Sequence, residues 1–194
     1  MAWGENRMGK KSWLKSAEKG NLEKLKRKLA EGANIDASDC HGWTAAMHAT
    51  SGGHADCLAA LIEAGCDLEA CSLGKENPLL LTYHGGNISC LALIIQAGAN
   101  LEARDQSGST AAMRACDWGQ PECLAMLIAA GCDIDAFDDN GRSCLDIATE
   151  PRRAALIPGC SACADLLRLA RAKREAIALS ESASPAHARP KAAL

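Results

Sequence analysis

Apolar and polar positions along this chain form a pattern that repeats. Gly32, Gly65, Gly98 and Gly131 lie 33 residues apart, and Cys57, Cys90 and Cys123 keep the same step. So do Leu58, Leu91 and Leu124, then Ile62, Ile95 and Ile128. Within one period Cys57, Leu58, Leu61 and Ile62 stand at i, i+1, i+4 and i+5, which is one stripe of a short helix. A first helix precedes it. Thr44 stands just before Ala45, Ala46 and Met47, where its hydroxyl can cap the free backbone N–H groups, and Gly53 ends that helix. Gly65 then supplies the left-handed residue that closes the second helix. Each period reads as two short helices and a turn. One such unit buries too little surface alone, whereas stacked units share a continuous core. The expected fold is therefore an all-α solenoid.

Two periods are near copies, Gly42–Asp67 and Gly108–Asp133, identical at 16 of 26 positions. The ten differences fall at 43, 48, 50, 51, 52, 54, 55, 56, 60 and 63, none of them on the Leu/Ile stripe. The expectation is that identical letters hold the fold and changed letters mostly face water or a partner.

TAAMHA at 44–49, NPLLLT at 77–82, TAAMRA at 110–115 and SCLDIA at 143–148, on a 33-residue period, resemble the ankyrin repeat and its T-P-L-H-x-A signature. The phrase from Gly53 to Asp67 is closer still, with His54 in the family's turn-ordering position. Met47 and Met113 stand in the signature's His slot, where thioether packing replaces the family's hydrogen bonds. The resemblance implies an ankyrin-repeat solenoid of about five units. Residues 1–8 form an N-terminal extension, and the repeat domain covers 9–179 in units 9–38, 39–71, 72–104, 105–137 and 138–179. The first unit is an N-terminal cap, with Lys24, Lys26, Arg27 and Lys28 on its polar face. In the last, degenerate unit about seven extra residues, around TEPRRAALIP, precede a second helix placed near 161–178. Residues 180–194 have the composition of a disordered tail.

Composition narrows the chemistry. The chain has 194 residues, four Trp, one Tyr and one Phe, so its core must be built from Ala, Leu, Ile, Met and Cys. Eleven cysteines, an odd number, without an apolar leader after the N-terminal charges, point to reduced thiols in a cytoplasmic or nuclear setting. No apolar run approaches the ~20 residues of a membrane span. Net charge is −3, but residues 33–148 carry sixteen Asp/Glu against four Lys/Arg, while both ends are basic. That acidic centre argues against wrapping nucleic acid. The run Arg171–Glu175 reads as a solvated helix end, with a weak nuclear signal as the alternative. Cys160 and Cys163 form a CxxC that could serve zinc or redox chemistry. No second CxxC or His pair completes a site, so the cysteines read as small core residues. His41, His48, His54 and His84 form no nucleophile–base–orienter set. No catalytic residue, cofactor or metal is expected, and neither is a small-molecule substrate.

The resemblance places a partner surface on the hairpin tips and on the concave face of the first helices. Carried onto this chain, it comprises His41, Trp43, Ser51, Gly52, Leu73, Glu76, His84, Arg104, Asp117, Trp118, Phe137, Asp139 and Arg142. Aromatic anchors there, in a chain that uses few rings, fit an interface hot spot. Glu76, Asp117 and Asp139 predict a protein partner with a basic patch. The expected function is that of a non-catalytic interaction module, a scaffold, adaptor or inhibitor, and capped ends favour a monomer. The competing readings are a cysteine-based redox or zinc protein, and nucleic-acid or membrane contact through the basic ends.

Overall fold

Helix starts are set by hydroxyls. Thr44, Thr110 and Ser143 each hold an extended backbone, and each side chain accepts the N–H three residues on, from Met47, Met113 and Asp146. The Met47 thioether completes the first of these caps: its Sδ lies 3.4 Å from the Thr44 N–H. The sulfur therefore does more than pack, because it takes an acceptor's place. Second helices close on Gly32, Gly65, Gly98 and Gly131, whose φ values lie between 78° and 91°, a region that costs an L side chain strain.

The computed structural model describes residues 13–182. Helical residues 13–18 (α1) and Leu22–Ala30 (α2) open the array. The pairs Ala45–Ser51 (α3) and Ala55–Glu63 (α4), then a 3-10 segment Leu80–Gly86 and Ile88–Gln96 (α5), follow. Ala111–Asp117 (α6), Pro121–Ala129 (α7), Cys144–Thr149 (α8), Pro151–Leu156 (α9) and Gly159–Ser182 (α10) complete it. First helices touch first helices along one row, from α3 through the 3-10 segment and α6 to α8. Second helices form the other row, from α2 through α4, α5 and α7 to α10. Among the described residues the only bridge of β type joins Phe137 to Ser143.

Between the rows lies one continuous core. Leu58, Leu61, Leu91, Ile94, Leu124 and Leu127 are fully buried from the second helices, with Cys57, Cys90 and Cys123 beside them. Each buried Leu or Ile contributes about 1.5–3 kcal/mol. Ile62, Ile95 and Ile128 are only half-buried and pack against the edge of this core. The first helices contribute Ala45, Ala46, Ala49, Ala111, Ala112 and Ala115, small residues that let neighbouring backbones approach.

Three features depart from the regular pattern. The first helix of the third pair is not α but 3-10, ending where His84 turns extended and Gly85 and Gly86 take φ of 71° and 63°. Tyr83 stands where Thr50 and Cys116 are wholly buried in the sister units. A phenol overfills that space, so the segment tightens, and the ring, still buried, packs against His84 and Trp118. The extra residues of the last unit form α9, which has no buried residue. Finally, α10 runs to Ser182, so residues 180–182, expected in the tail, are helical, while 183–194 and the extension 1–8 lie outside the described residues.

Candidate functional site

Each hairpin is organised by one short polar side chain at a 33-residue interval. Asp39 Oδ1 accepts the N–H groups of His41 and Trp43 at 2.8 and 3.0 Å. Asp105 does the same for Ser107 and Ser109, Asp138 for Asn140 and Arg142, and the hydroxyl of Ser72 for Gly74 and Glu76. The second carboxylate oxygen reaches a cation or imidazole. Asp39 meets His48 at 3.1 Å, Asp105 meets Arg114 Nε at 2.6 Å, and Asp138 meets Arg142 Nε at 3.0 Å. Burial alone would raise the Asp105 carboxyl, but hydrogen bonds from Ser107, Arg114 and Ser109 outweigh it and hold the group below the usual carboxylate range. Asp39 and Asp138 are lowered by the same balance.

These turns stack on one another. Leu73 N–H donates to the His41 carbonyl at 3.0 Å, and Asp139 N–H to that of Ser107 at 3.1 Å. Gln106 Nε2 donates to the Leu73 carbonyl at 2.7 Å. Arg104 reaches the carbonyls of Gly108 and Phe137. The tips therefore form one edge, and the expected partner residues sort into groups along it and along the first-helix row beside it.

The first group surrounds an open cleft of about 460 Å³ between the tips of two units, lined by His41, Trp43, Leu73 and Glu76 with Asp39, His48, Ser72 and Gly74. Trp43 is half-buried and packs on the His48 ring, with centroids 5.2 Å apart, while the Leu73 side chain is 72% exposed. In the second group Trp118, 50% exposed, stacks on Tyr83 at 5.5 Å, His84 stacks on the phenol at 4.3 Å, and the His84 and Trp118 rings themselves lie 6.2 Å apart. The Arg114 guanidinium lies 5.9 Å from the centre of the Tyr83 ring. The third group is at the far tips, where Phe137 is 59% exposed beside Arg104, followed by exposed Asp139 and half-buried Arg142.

Some expected residues do other work. Gly52 lies against the His54 ring, and His54 Nε2 bonds the Glu18 carbonyl at 2.9 Å. Asn87, one period on, bonds the Thr50 carbonyl at 2.8 Å. That end of the units is a latch between neighbours, and neither Ser51 nor Gly52 joins the tip groups. Asp117 is engaged by both Arg114 and Arg153. Arg142 is held by the wholly buried carboxylate of Asp138.

The expectation for the changed letters needs correction. Only 52, 56 and 63, with their counterparts 118, 122 and 129, are exposed in both copies. Position 50 and its counterpart Cys116 are buried, and 48 with its counterpart Arg114 pairs with the turn carboxylate of its own unit. A buried site can change its letter when the substitute has similar volume or the same hydrogen-bonding role. Asp39, His48, Tyr83, Arg114 and Arg153 were not expected in this surface. The recurrence of Asp39, Asp105 and Asp138 at multiples of 33 residues was the available signal for the turn carboxylates.

The CxxC faces inward. Cys160 and Cys163 are buried, and their thiols lie 3.5 and 3.9 Å from the carbonyls of Cys116 and Ala115. Burial pushes the Cys160 thiol up. Hydrogen bonds with Cys144 and Cys163, together with burial, hold Cys116 well above its usual range, while the Cys116 thiol favours ionisation of Cys163. All eleven cysteines are unpaired thiols. Among the described residues no group of three or more His, Cys, Asp or Glu side chains is arranged to hold a metal ion, and no helix is long and apolar enough to cross a membrane.

A search of curated proteins returned no match. A family model described as "Ankyrin repeats (3 copies)" matches residues 13–105 and again 79–167. Those matches cover the helix pairs, the stacked hairpins and the latches between neighbouring units just described, and the chain belongs to the ankyrin-repeat family.

Proposed function

We propose that this chain is a non-catalytic scaffold, adaptor or inhibitor that holds a protein partner along its hairpin tips and first-helix row. Ankyrin repeats generally serve as protein–protein interaction modules. The observation that carries the reading for this chain is where its rings and large apolar groups lie. Phe137 and Leu73 are exposed at the hairpin tips and Trp118 at the end of α6 in the first-helix row, while leucines, alanines and thiols fill the core. Large rings preset on a rigid edge bury much area at little entropic cost, which is how interface anchors act.

Charge narrows the partner. Asp39 and Glu76 border the cleft beside Trp43, and Asp139 stands at the far tip, so a partner presenting Lys or Arg side chains fits this edge. Asp117 adds little to that field because Arg114 and Arg153 offset it. The unpaired thiols fit work in a reducing compartment.

Position-specific photo-crosslinking tests the face used. A photoreactive residue at His41 or Asn140 should capture the same protein from lysate, and one at the exposed Ala125 on α7 should not. Capture from Ala125 alone would move the interface to the second-helix row and end this reading.

A further inference from the structure

Three of the hairpins turn on a carboxylate, and the chain answers its charge with arginine in only two of them. Asp105 is covered by Arg114, nine residues on, and Asp138 by Arg142, four residues on; the two acidic side chains are 4% and 0% exposed. At Asp39 the same two positions hold His48 and Trp43. The His48 imidazole donates one hydrogen bond to Oδ2, at 3.1 Å, and the Asp39 side chain stays 21% exposed. Glu76, from the next hairpin, lines the same cleft, and its carboxylate receives a long bond of 3.4 Å from the Tyr83 hydroxyl. Among the described residues no Lys or Arg side chain pairs with either carboxylate. Lys75 is exposed and lies outside the cleft lining, and Lys15 and Glu18 border a smaller adjoining hollow, where their charges offset.

We propose, on the reading of the hairpin tips as the partner-holding face, that this cleft receives an arginine side chain of the partner protein. The partner then supplies to Asp39 the guanidinium that Arg114 and Arg142 supply to the sister turns. The unanswered charge identifies the occupant. Two carboxylates from adjacent hairpins share one open cleft of about 460 Å³, and a cleft lined by one sign of charge draws the opposite sign.

Trp43 selects the kind of cation. Its indole is half-buried and packed on the His48 ring, with centroids 5.2 Å apart. A planar guanidinium lies flat on such a ring while its edge N–H groups reach carboxylates. An ammonium gives up more hydration and has no plane to stack. Beside the bonds already made, Asp39 Oδ2 and the Glu76 carboxylate keep lone pairs for those N–H groups. Exposed Leu73 adds an apolar wall for the stem of the side chain.

The test is an NMR titration of the isotope-labelled full chain, followed at the Trp43 indole N–H with buried Trp13 as internal reference. The probe is the capped tripeptide acetyl-Gly-Arg-Gly-amide, added to about 20 mM because a single side chain binds in the millimolar range. The Trp43 resonance should shift and saturate. The lysine tripeptide should bind at least about three-fold more weakly, and the neutral citrulline tripeptide should give no saturable shift. Glu76→Gln should weaken binding about five-fold. His48→Arg gives Asp39 the partner that Asp105 has in Arg114. That variant should keep its helix content and bind the peptide at least about ten-fold more weakly. No saturable Trp43 shift with the arginine peptide overturns the proposal. So does binding unchanged by His48→Arg, or citrulline binding as tightly as arginine. Free L-arginine binding more tightly than the capped peptide would make the cleft a small-molecule site and overturn the partner's side chain as its occupant. The titration needs no partner, so it fails separately from the crosslinking. Capture from His41 or Asn140 alongside a silent Trp43 would end this assignment and leave the tip reading in place.

Discussion

At the scale of single residues, the turn carboxylates set the hairpins, and with them the edge proposed to hold a partner. Asp105 fixes two backbone N–H groups and Arg114 while its own side chain is almost wholly buried. Asp105→Ala strands all three, and urea unfolding should show a loss of about 3 kcal/mol. Its folded-state pKa is depressed, so its stabilising effect is complete above the unfolded value, about 3.9, and is lost as pH falls through the folded value. Acid unfolding of Asp105→Asn should therefore be less steep below about pH 4 than that of the parent. If the two profiles were parallel, the carboxylate would not be ionised in its turn. The period-33 recurrence of Asp was visible in the chain. Its pairing with His48 or Arg114, nine residues on, was not, because only the folded hairpin brings the two together.

At the scale of elements, the helices were legible because their punctuation repeats: a hydroxyl at the start and a left-handed glycine at the end. The third pair was less so. Tyr83 looks like one more apolar letter in NPLLLTY, and its consequence depends on the volume its neighbours leave. Its hairpin also carries a defect. Lys75 has φ of 55°, where Gly42, Gly108 and Gly141 take 79°, 71° and 72° in the sister turns. Lys75→Gly should therefore stabilise the protein by about 1 kcal/mol in denaturant unfolding; a loss of stability would mean that the lysine side chain holds the turn. The insertion in the last unit makes a different demand. A Cβ on Gly119 would stand 2.5 Å from Ile157 and 3.1 Å from the Gly159 backbone. Gly119→Ala should release the C-terminal unit, seen as faster amide exchange in α8 and α10 than in α4. Uniform exchange across the array would contradict that close contact.

At the scale of the whole molecule, the units are joined on several sides. Tip carbonyls bond tip amides, His54 and Asn87 latch one unit to the next, and Asp36, Glu69 and Glu102 each accept an N–H from the following unit at 2.8–2.9 Å. Across the first-helix row, Asp105, Arg114, Asp117, Arg153 and Glu150 form a chain of alternating charges. These ties hold Trp43 and Trp118 on one frame, so the proposed site is a preformed surface that forfeits little entropy in being ordered. The measurement that tests this account most directly is a paired capture from matched lysate. One bait is the parent chain; the other carries Trp43→Ala and Trp118→Ala, checked by circular dichroism for unchanged helix content. The account predicts a protein retained by the parent and lost, by at least about ten-fold, with the double variant. Equal recovery of the same proteins by both baits would show that these rings only cover the stack, and would contradict the proposed site.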